Sequence, residues 1–285
     1  MEAGIQTIEV NGIKLFEKAA MPNKSEYVGS LEESACFLYM TSGLNLAIEP
    51  MGLTNLHATE GLLKRCGNYV SQFVTERGSE FCEGVAIYFH PDFIKKIYGN
   101  EIPNFLHREA PSYNTKKIAS NELIQRYINN LIPYFDNPEL MDEELAALKI
   151  KELILLLLKS QDRTSILDFF SELFASPRKL KLKDIVENNI YNDISTEQLA
   201  FLCDMSLSTF KREFKKTFEE TPATYIRQRK IEKAKGLLTS TDMRIQEVGY
   251  HSGFNELSSF SHTFQKVTSY SPSDFRMTQK NKSLN

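Results

Sequence analysis

Two groups of side chains, about fifty residues apart, have the types and spacing needed to bind a polyanion. The first group comprises Ser206, Ser208, Thr209, Lys211, Arg212, Lys215 and Lys216. The second group comprises Asn255, Ser258, Ser259, Ser261, His262 and Lys266. Lysine and arginine pair with phosphate oxygens, while amide, hydroxyl and imidazole groups hydrogen-bond to base edges. The chemistry that these residues offer is recognition of a nucleic acid.

The first group requires a helix-turn-helix over residues 195–218, STEQLAFLCDMSLSTFKREFKKTF. Ser195 and Gln198 have the spacing of a capping box, which predicts the start of a first helix. The turn falls on residues 203–205, where Asp204 tolerates a left-handed backbone, and Ser206 is the predicted N-cap of the second helix. The predicted core side chains are Leu199, Ala200, Leu202, Leu207, Phe210, Phe214 and Phe218.

The second group requires a similar unit over residues 245–267, IQEVGYHSGFNELSSFSHTFQKV. Ile245 and Val248 are the inward residues of its first helix, and Ser252-Gly253 forms the turn. The predicted apolar stripe of the second helix is Phe254, Leu257, Phe260 and Phe264, with Asn255 and Glu256 on the outer face. Because this copy has fewer cations, the first copy is expected to supply more of the electrostatic affinity.

The segment between the copies predicts a connecting helix. Thr221 as N-cap and Pro222 at the first helical position are a strong start signal, and the helix would run to Leu238. Its length would be about 25 Å at 1.5 Å per residue, of the order of the roughly 34 Å between adjacent major-groove segments. We therefore expect sequence-specific recognition of double-stranded DNA. The alternative is a helical scaffold with solvated basic residues, but then the pattern must arise twice.

Residues 182–277 resemble the DNA-binding domain of the AraC/XylS family of bacterial transcription regulators. The resemblance rests on Ile245, Val248-Gly249, Gly253-Phe254, Phe260-Ser261, Phe264-Gln265-Lys266, Ser271-Pro272-Ser273 and Phe275-Arg276. It implies base contacts by Ser208, Lys211, Arg212, Leu257, Ser258, Ser261 and His262. Glu219-Glu220 and Ser269-Tyr270 replace the usual glycine-containing turns, and Gln265 replaces a customary lysine.

The charge distribution predicts two domains. The chain carries a net charge of −3, yet the residues from Arg178 onward hold 18 Lys and Arg against 13 Asp and Glu. The 177 residues before them hold 16 basic and 24 acidic side chains and would be repelled by phosphate. We expect a regulatory or dimerisation domain over residues 1–175 and a DNA-binding domain over residues 176–285. Residues 176–179 are the candidate linker.

The N-terminal half is predicted to be β structure followed by helices, so the fold class is α+β. Strands are expected over residues 6–10, 13–18, 35–40, 44–48, 59–66, 69–74 and 85–89, with turns at 11–12, 42–43 and 67–68. Helices are expected near 92–98, 120–135, 142–160 and 164–174, the third burying Leu145, Leu148, Leu153 and Leu156. This order resembles the cupin-like β-barrel with trailing helices of the same family. Residues 150–157 loosely resemble the ExsA type of secretion activators.

The role of the N-terminal domain stays open between two interpretations. Phe37, Tyr39, Phe73 and Tyr88 could line a pocket for a small-molecule effector, although aromatic residues at strand spacing also simply pack. In the second interpretation the core is filled, and the domain dimerises or docks a regulatory protein.

Catalysis, metals and cofactors are not expected. His57, His90 and His107 stand alone, and Cys36, Cys66, Cys82 and Cys203 show no Cys-x-x-Cys spacing. DNA-repair methyltransferases with an AraC-like domain need an activated cysteine motif, which is absent here. Neither a signal peptide nor an apolar run of bilayer length is present, so we expect a reduced, cytoplasmic protein with no membrane partner.

The resulting hypothesis is a transcription regulator, most simply an activator, that binds an asymmetric or direct-repeat promoter site. Promoter DNA, RNA polymerase and a second copy of the chain are the expected partners. The alternatives are a methyltransferase-type repair protein and a ligand sensor whose DNA-binding half is secondary.

Overall fold

The computed structural model describes residues 4–99, 115–119, 121–159, 163–173 and 180–283. The chain divides into two compact units: Met1–Ala47 with Thr54–Lys179, and Ile48–Leu53 with Leu180–Asn285. His107 and the candidate linker at residues 176–179 lie outside the described residues.

The described residues form an eight-stranded sheet, most of which belongs to the first unit. Its strands are β1 Gly4–Val10, β2 Ile13–Pro22, β3 Glu26–Ser42, β4 Leu44–Glu49, β5 Gly52–His57, β6 Gly61–Val74, β7 Phe81–Phe89 and β8 Thr115–Ile118. The strand order is β1-β2-β7-β3-β6-β4-β5, with β8 paired to β6. The pairs β1–β2, β2–β7, β3–β7, β3–β6 and β6–β8 are antiparallel.

Turn chemistry explains one predicted turn and overturns another. Asn11 and Gly12 both have positive φ, 53° and 77°, as a tight two-residue hairpin requires, and they join β1 to β2. The turn predicted at Gly67-Asn68 is wrong, because both residues lie inside β6. Gly67 has φ +142° and pairs with Leu31 where the register between β3 and β6 shifts. The glycine therefore marks an irregularity within one long strand.

Helices cover one face of this sheet. They are α1 Pro91–Tyr98, α2 Glu122–Leu131, α3 Glu143–Leu158 and α4 Arg163–Leu173, with short 3-10 helices at Ile132–Phe135 and Pro138–Leu140. Asn121 and Asp142 cap α2 and α3, each side chain accepting from a backbone N–H at 2.8 Å. The core between sheet and helices joins Phe37, Tyr39 and Phe89 of the strands to helical residues such as Ile150, Leu153 and Phe170.

Burial corrects the prediction for α3. Ile150, Leu153, Ile154 and Leu157 are fully buried, as an inner helix face requires. Leu148, predicted to be buried, is 59% exposed, and Leu155 is 47% exposed. Because these two leucines lie seven residues apart, they share the outer face of the helix.

The second unit is helical: α5 Leu182–Asn189, α6 Thr196–Leu202, α7 Leu207–Phe218, α8 Pro222–Ser240, α9 Ile245–His251, α10 Leu257–Thr268 and α11 Pro272–Ser283. It has two separate apolar cores. Val186, Leu199, Phe210 and Phe214 form the first core, against which the start of α8 packs. The second core contains Ile231, Ala234 and Leu238 of α8 with Val248, Phe260 and Phe264. An antiparallel β domain is thus followed by a helical domain, which confirms the predicted two-domain α+β class.

Candidate nucleic-acid interface

The first helix-turn-helix consists of α6, a turn and α7. Ser195 Oγ accepts from the Gln198 N–H at 3.1 Å, and Gln198 Oε1 accepts from the Ser195 N–H at 2.8 Å, which confirms the predicted capping box. Asp204 has φ 56° in the turn, the left-handed conformation predicted for it. Ser206 Oγ then accepts from the Thr209 N–H at 3.3 Å and caps α7, also as predicted.

The two faces of α7 divide core from surface. Phe210 and Phe214 are fully buried, while Leu207 and Phe218 are half-buried against them. The exposed face carries Ser206, Ser208, Lys211, Arg212, Lys215 and Lys216, with Thr209 half-buried at its margin. Arg212 Nε lies 3.3 Å from Glu213 Oε1, but the guanidinium is exposed, so this pair holds it only weakly. The face presents four cations within two helical turns.

The second helix-turn-helix consists of α9, a turn and α10. Gly253 has φ +86° at the predicted turn, and Phe260 and Phe264 are fully buried. Leu257 is 43% exposed at the start of α10, so its assignment to the apolar stripe is wrong. The first helical turn lies at the edge of the core, which leaves this side chain on the surface beside Ser258.

The remaining polar residues of this copy lie on α10 or directly before it, and the predicted positions of two of them are corrected. Ser258, Ser259, His262 and Lys266 are exposed on α10, and Ser261 is half-buried. Asn255 and Glu256 are exposed but precede the helix instead of lying on its outer face. Glu256 is the N-cap residue, yet it makes no side-chain cap, in contrast to Ser206 of α7. The first N–H groups of α10 therefore lack the side-chain acceptor that α7 has.

Glutamate and serine, in place of the usual glycine-containing turns, still adopt a left-handed backbone at the ends of α7 and α10. Glu219 and Ser269 close α7 and α10 with φ of 62° and 67°, and their N–H groups donate to Lys215 O at 2.9 Å and Gln265 O at 2.8 Å. A Thr221-Pro222 or Ser271-Pro272 pair then begins the next helix. The two copies therefore end in the same way: a non-glycine residue takes the left-handed position after each second helix.

A cavity of about 60 Å³ lies in the first unit, on the sheet face opposite the helices. Phe73 and Tyr88 line it, together with Leu38, Met40 and Cys36. Phe37 and Tyr39 do not, which corrects half of the predicted pocket, because alternate residues of β3 point to opposite faces and these two belong to the core under the helices. Burial raises the pKa of the Tyr88 hydroxyl well above its usual range.

Polar side chains in this cavity were not predicted from the sequence. Asn45 is 1% exposed, and neither atom of its amide has a hydrogen-bond partner among the described residues. Ser71 and Lys64 are also buried on the cavity wall. The signal was available: Asn45 interrupts an apolar strand, and Lys64 and Ser71 lie in β6.

Burial suppresses the ionisation of two of the described cysteine thiols. Cys36 and Cys82 are buried free thiols, and burial raises the pKa of Cys82 to about 11 and that of Cys203 to about 12. His57 is exposed, and a ring nitrogen of His90 lies 2.9 Å from Lys14 O. Within the described ranges no group of three or more His, Cys, Asp or Glu side chains could hold a metal ion. No helix in the same ranges is long and apolar enough to cross a membrane.

Comparison with known proteins gives two family matches. Residues 199–278 match the family described as "Helix-turn-helix domain", and residues 35–169 match "ExsA N-terminal regulatory domain". The transcriptional activator RhaS of Enterobacter sp. (strain 638) is 25% identical over 202 residues, 70% of this chain and 71% of RhaS. The virulence regulon transcriptional activator VirF of Yersinia enterocolitica is 27% identical over 157 residues, 55% of this chain and 57% of VirF.

One solved structure similar to part of this chain is the C-terminal domain of the two-component response regulator yesN from Fusobacterium nucleatum. It is 27% identical, covers 33% of this chain and 93% of that chain, and has a TM-score of 0.32. The two family matches confirm the resemblance that the sequence motifs indicated. RhaS and VirF are both described as transcriptional activators.

Proposed function

We propose that this chain, an AraC-type transcription regulator with an ExsA-type N-terminal domain, is a sequence-specific activator that binds double-stranded promoter DNA. Recognition helices α7 and α10 enter adjacent major-groove segments. We place the boundary between the regulatory and DNA-binding domains near residue 175. A promoter target also implies that the protein acts in the bacterial cytoplasm.

The observation that carries the proposal is the repeat of the helix-turn-helix at both ends of α8. This connecting helix has 19 residues and is therefore about 28 Å long at 1.5 Å per residue. Adjacent major-groove segments lie roughly 34 Å apart on one side of B-DNA. Because the two recognition helices flank a rigid connector of that scale, they are suited to a bipartite site within one protomer.

The two recognition helices have different tasks in this proposal. Lys211 and Arg212 of α7 read base edges, while Lys215 and Lys216 bind phosphates. On α10, Ser258, Ser261 and His262 hydrogen-bond to bases, Leu257 makes an apolar contact, and Lys266 binds a phosphate. Ser206 and Thr209 are held in the N-cap of α7, and Ser208, whose Oγ lies 3.1 Å from that of Ser206, is the freer hydroxyl.

The N-terminal domain controls this binding, by an effector, a regulatory protein or dimerisation. The cavity beside Asn45 supports an effector, since a buried amide without partners costs about 1–3 kcal/mol that a polar ligand would recover. The outer face of α3 supports a homodimer, since Leu148 and Leu155 form an exposed apolar stripe. Recruitment of RNA polymerase by the bound regulator completes the proposed mechanism.

Selection of bound fragments from a random double-stranded DNA pool tests the DNA-binding function. The full-length protein should enrich one sequence, and a hydroxyl-radical footprint on it should protect two major-groove segments about one helical turn apart. Enrichment of no sequence would refute specific recognition, and a single protected segment would refute the use of both helices. Size-exclusion chromatography with light scattering of the wild type and Leu148→Glu tests the dimer separately.

A further inference from the structure

The two halves of the DNA-binding unit share little apolar core. Phe210 and Phe214 belong to the first core, and Phe260 and Phe264 belong to the second. One helix, α8, contributes Tyr225 and Ile226 to the first core and its later residues to the second. Apolar packing therefore holds each recognition helix on α8, but it does not brace one half against the other.

A hydrogen bond from Lys230, at the middle of α8, supplies a bracing contact. Lys230 extends from the helix to the turn of the second helix-turn-helix, where its Nζ donates to Gly253 O at 2.6 Å. The same ammonium lies 5.8 Å from the ring centre of Phe254. Burial lowers the pKa of Lys230, against the opposing charge of Asp193. A short, partly desolvated bond from an ammonium to a carbonyl is among the stronger hydrogen bonds in proteins.

The segment after α5, which belongs to the first half, contacts the same turn at Gly253. A Cβ atom built on Gly253 would lie 2.7 Å from Tyr191 O and 3.0 Å from the Lys230 side chain, so this segment packs directly against the turn. Lys233 Nζ lies 3.9 Å from the centre of the Tyr191 ring. Arg229 and Tyr225, on the same side of α8, hold Glu187 of α5 at 2.8 Å and 2.5 Å.

We propose that Lys230 is a positioning residue that sets the distance and angle between α7 and α10, and thereby the spacing of the two DNA segments that the protein accepts. The inference rests on the proposed bipartite recognition. Lys230 acts through the Gly253 turn, which begins the loop into α10. A shift of that turn moves the start of α10, where Leu257 and Ser258 face outward.

The test compares three duplexes made from the sequence selected by the wild-type protein. The first is the selected site, the second carries one inserted base pair between the footprinted segments, and the third keeps one segment and randomises the other. Affinities are measured for the full-length wild type, Lys230→Met, Lys230→Arg and Lys235→Met. Lys235→Met removes one charge from the same helix at a side chain that pairs only with Glu232 among the described contacts.

Lys230→Met should bind the selected site about tenfold more weakly than Lys235→Met does, the low end of the range for a charge-assisted hydrogen bond. On the inserted duplex and on the single segment the two variants should bind alike, so the penalty for the insertion shrinks for Lys230→Met. Lys230→Arg should restore most of that penalty, because it keeps a cationic donor.

An insertion penalty equal to that of Lys235→Met would overturn the inference and leave the proposed function standing. If the wild type selects no sequence, the proposed function fails and the inference with it. Should Lys230→Met melt below the assay temperature, Lys230→Gln, which keeps a polar side chain but is too short to reach Gly253 O, is tested on the same duplexes and must show the reduced penalty.

Discussion

Replacing Lys216 by alanine is expected to weaken binding to specific and random DNA alike and to flatten the salt dependence. Lys216 is exposed on α7, one turn after Arg212, in the last part of the helix. On B-DNA each neutralised phosphate contributes a slope of about 0.9 to the dependence of log affinity on log salt. The loss of one contact should therefore reduce the slope by that amount.

The magnitude follows from the number of cations. Between 50 and 200 mM salt, a single contact changes affinity by about 3.5-fold, since the fourfold change in salt is raised to the power 0.9. The wild type should lose about 3.5-fold more affinity over this range than Lys216→Ala does. Lys266, the one lysine on α10, should have the same effect when replaced. Removing Lys215 and Lys216 together should flatten the slope about twice as much, because two proposed phosphate contacts are lost.

Arg212→Ala provides the contrast, because its proposed partner is a base. The half-buried Glu213 neighbour does not compete strongly for the exposed guanidinium. Loss of one good base contact costs about 1–3 kcal/mol on the selected site, and it should cost little on random DNA. Two cations one turn apart on the same helix should thus behave differently. Replacing Lys216 should change the salt slope, and replacing Arg212 should change the preference for the selected sequence.

Fluorescence anisotropy with labelled duplexes at five salt concentrations measures both patterns. Lys95→Ala is the matched control, since it removes one exposed cation from α1 of the first unit. An unchanged slope for Lys216→Ala, or a Lys95→Ala slope that is flattened as much, would refute the phosphate assignment. An equal loss on selected and random DNA would refute base reading by Arg212.

Three further predictions concern stability. Ser269→Gly should stabilise the second unit by roughly 0.5–1 kcal/mol, because Ser269 has φ 67°. The control Ser259→Gly, within right-handed α10, should destabilise it by a similar amount. Equal effects of the two variants in thermal unfolding would contradict this prediction. Asn45→Leu should raise the melting temperature of ligand-free protein by removing two unpaired buried polar atoms, and a lowered midpoint would show that the amide is satisfied in solution. Burial, with the hydrogen bond and charge of Glu187, raises the pKa of Tyr225 to about 12. The difference between the absorbance titrations of the wild type and Tyr225→Phe isolates this hydroxyl, and its midpoint should lie near pH 12. A midpoint near the ordinary value of about 10 would mean an unperturbed hydroxyl. The corresponding stability is complete below the unfolded pKa and is lost as pH rises through the folded one.

Local signals account for the parts of the fold that were predicted correctly. The capping box at Ser195, the cap at Ser206 and the left-handed turn at Asp204 each depend on residues within four positions of one another. The same holds for the Asn11-Gly12 hairpin. Interactions of such short range are encoded by residue type and spacing, so a single sequence is enough to predict them.

The sequence-based predictions were wrong where residues distant in the chain determine the local structure or burial. Gly67 looked like a turn, but pairing with β3 drew it into one long strand. The short strands β5 and β8 have little pattern of their own, and β8 is a strand because Lys117 and its neighbours pair with β6. Leu148 and Leu257 are apolar, yet both side chains stay exposed among the described elements.

The sequence by itself determined the repeated helix-turn-helix, the charge difference between the halves and the identity of the exposed cations on α7, because helix periodicity and capping are local. Tertiary structure alone decided that Phe73 and Tyr88 face a cavity while Phe37 and Tyr39 fill the core, since the face of a strand depends on what packs against the sheet. It also brought Lys230 to Gly253, 23 positions away in the chain. A long side chain on a helix can point to many neighbours, and only the packed fold selects one.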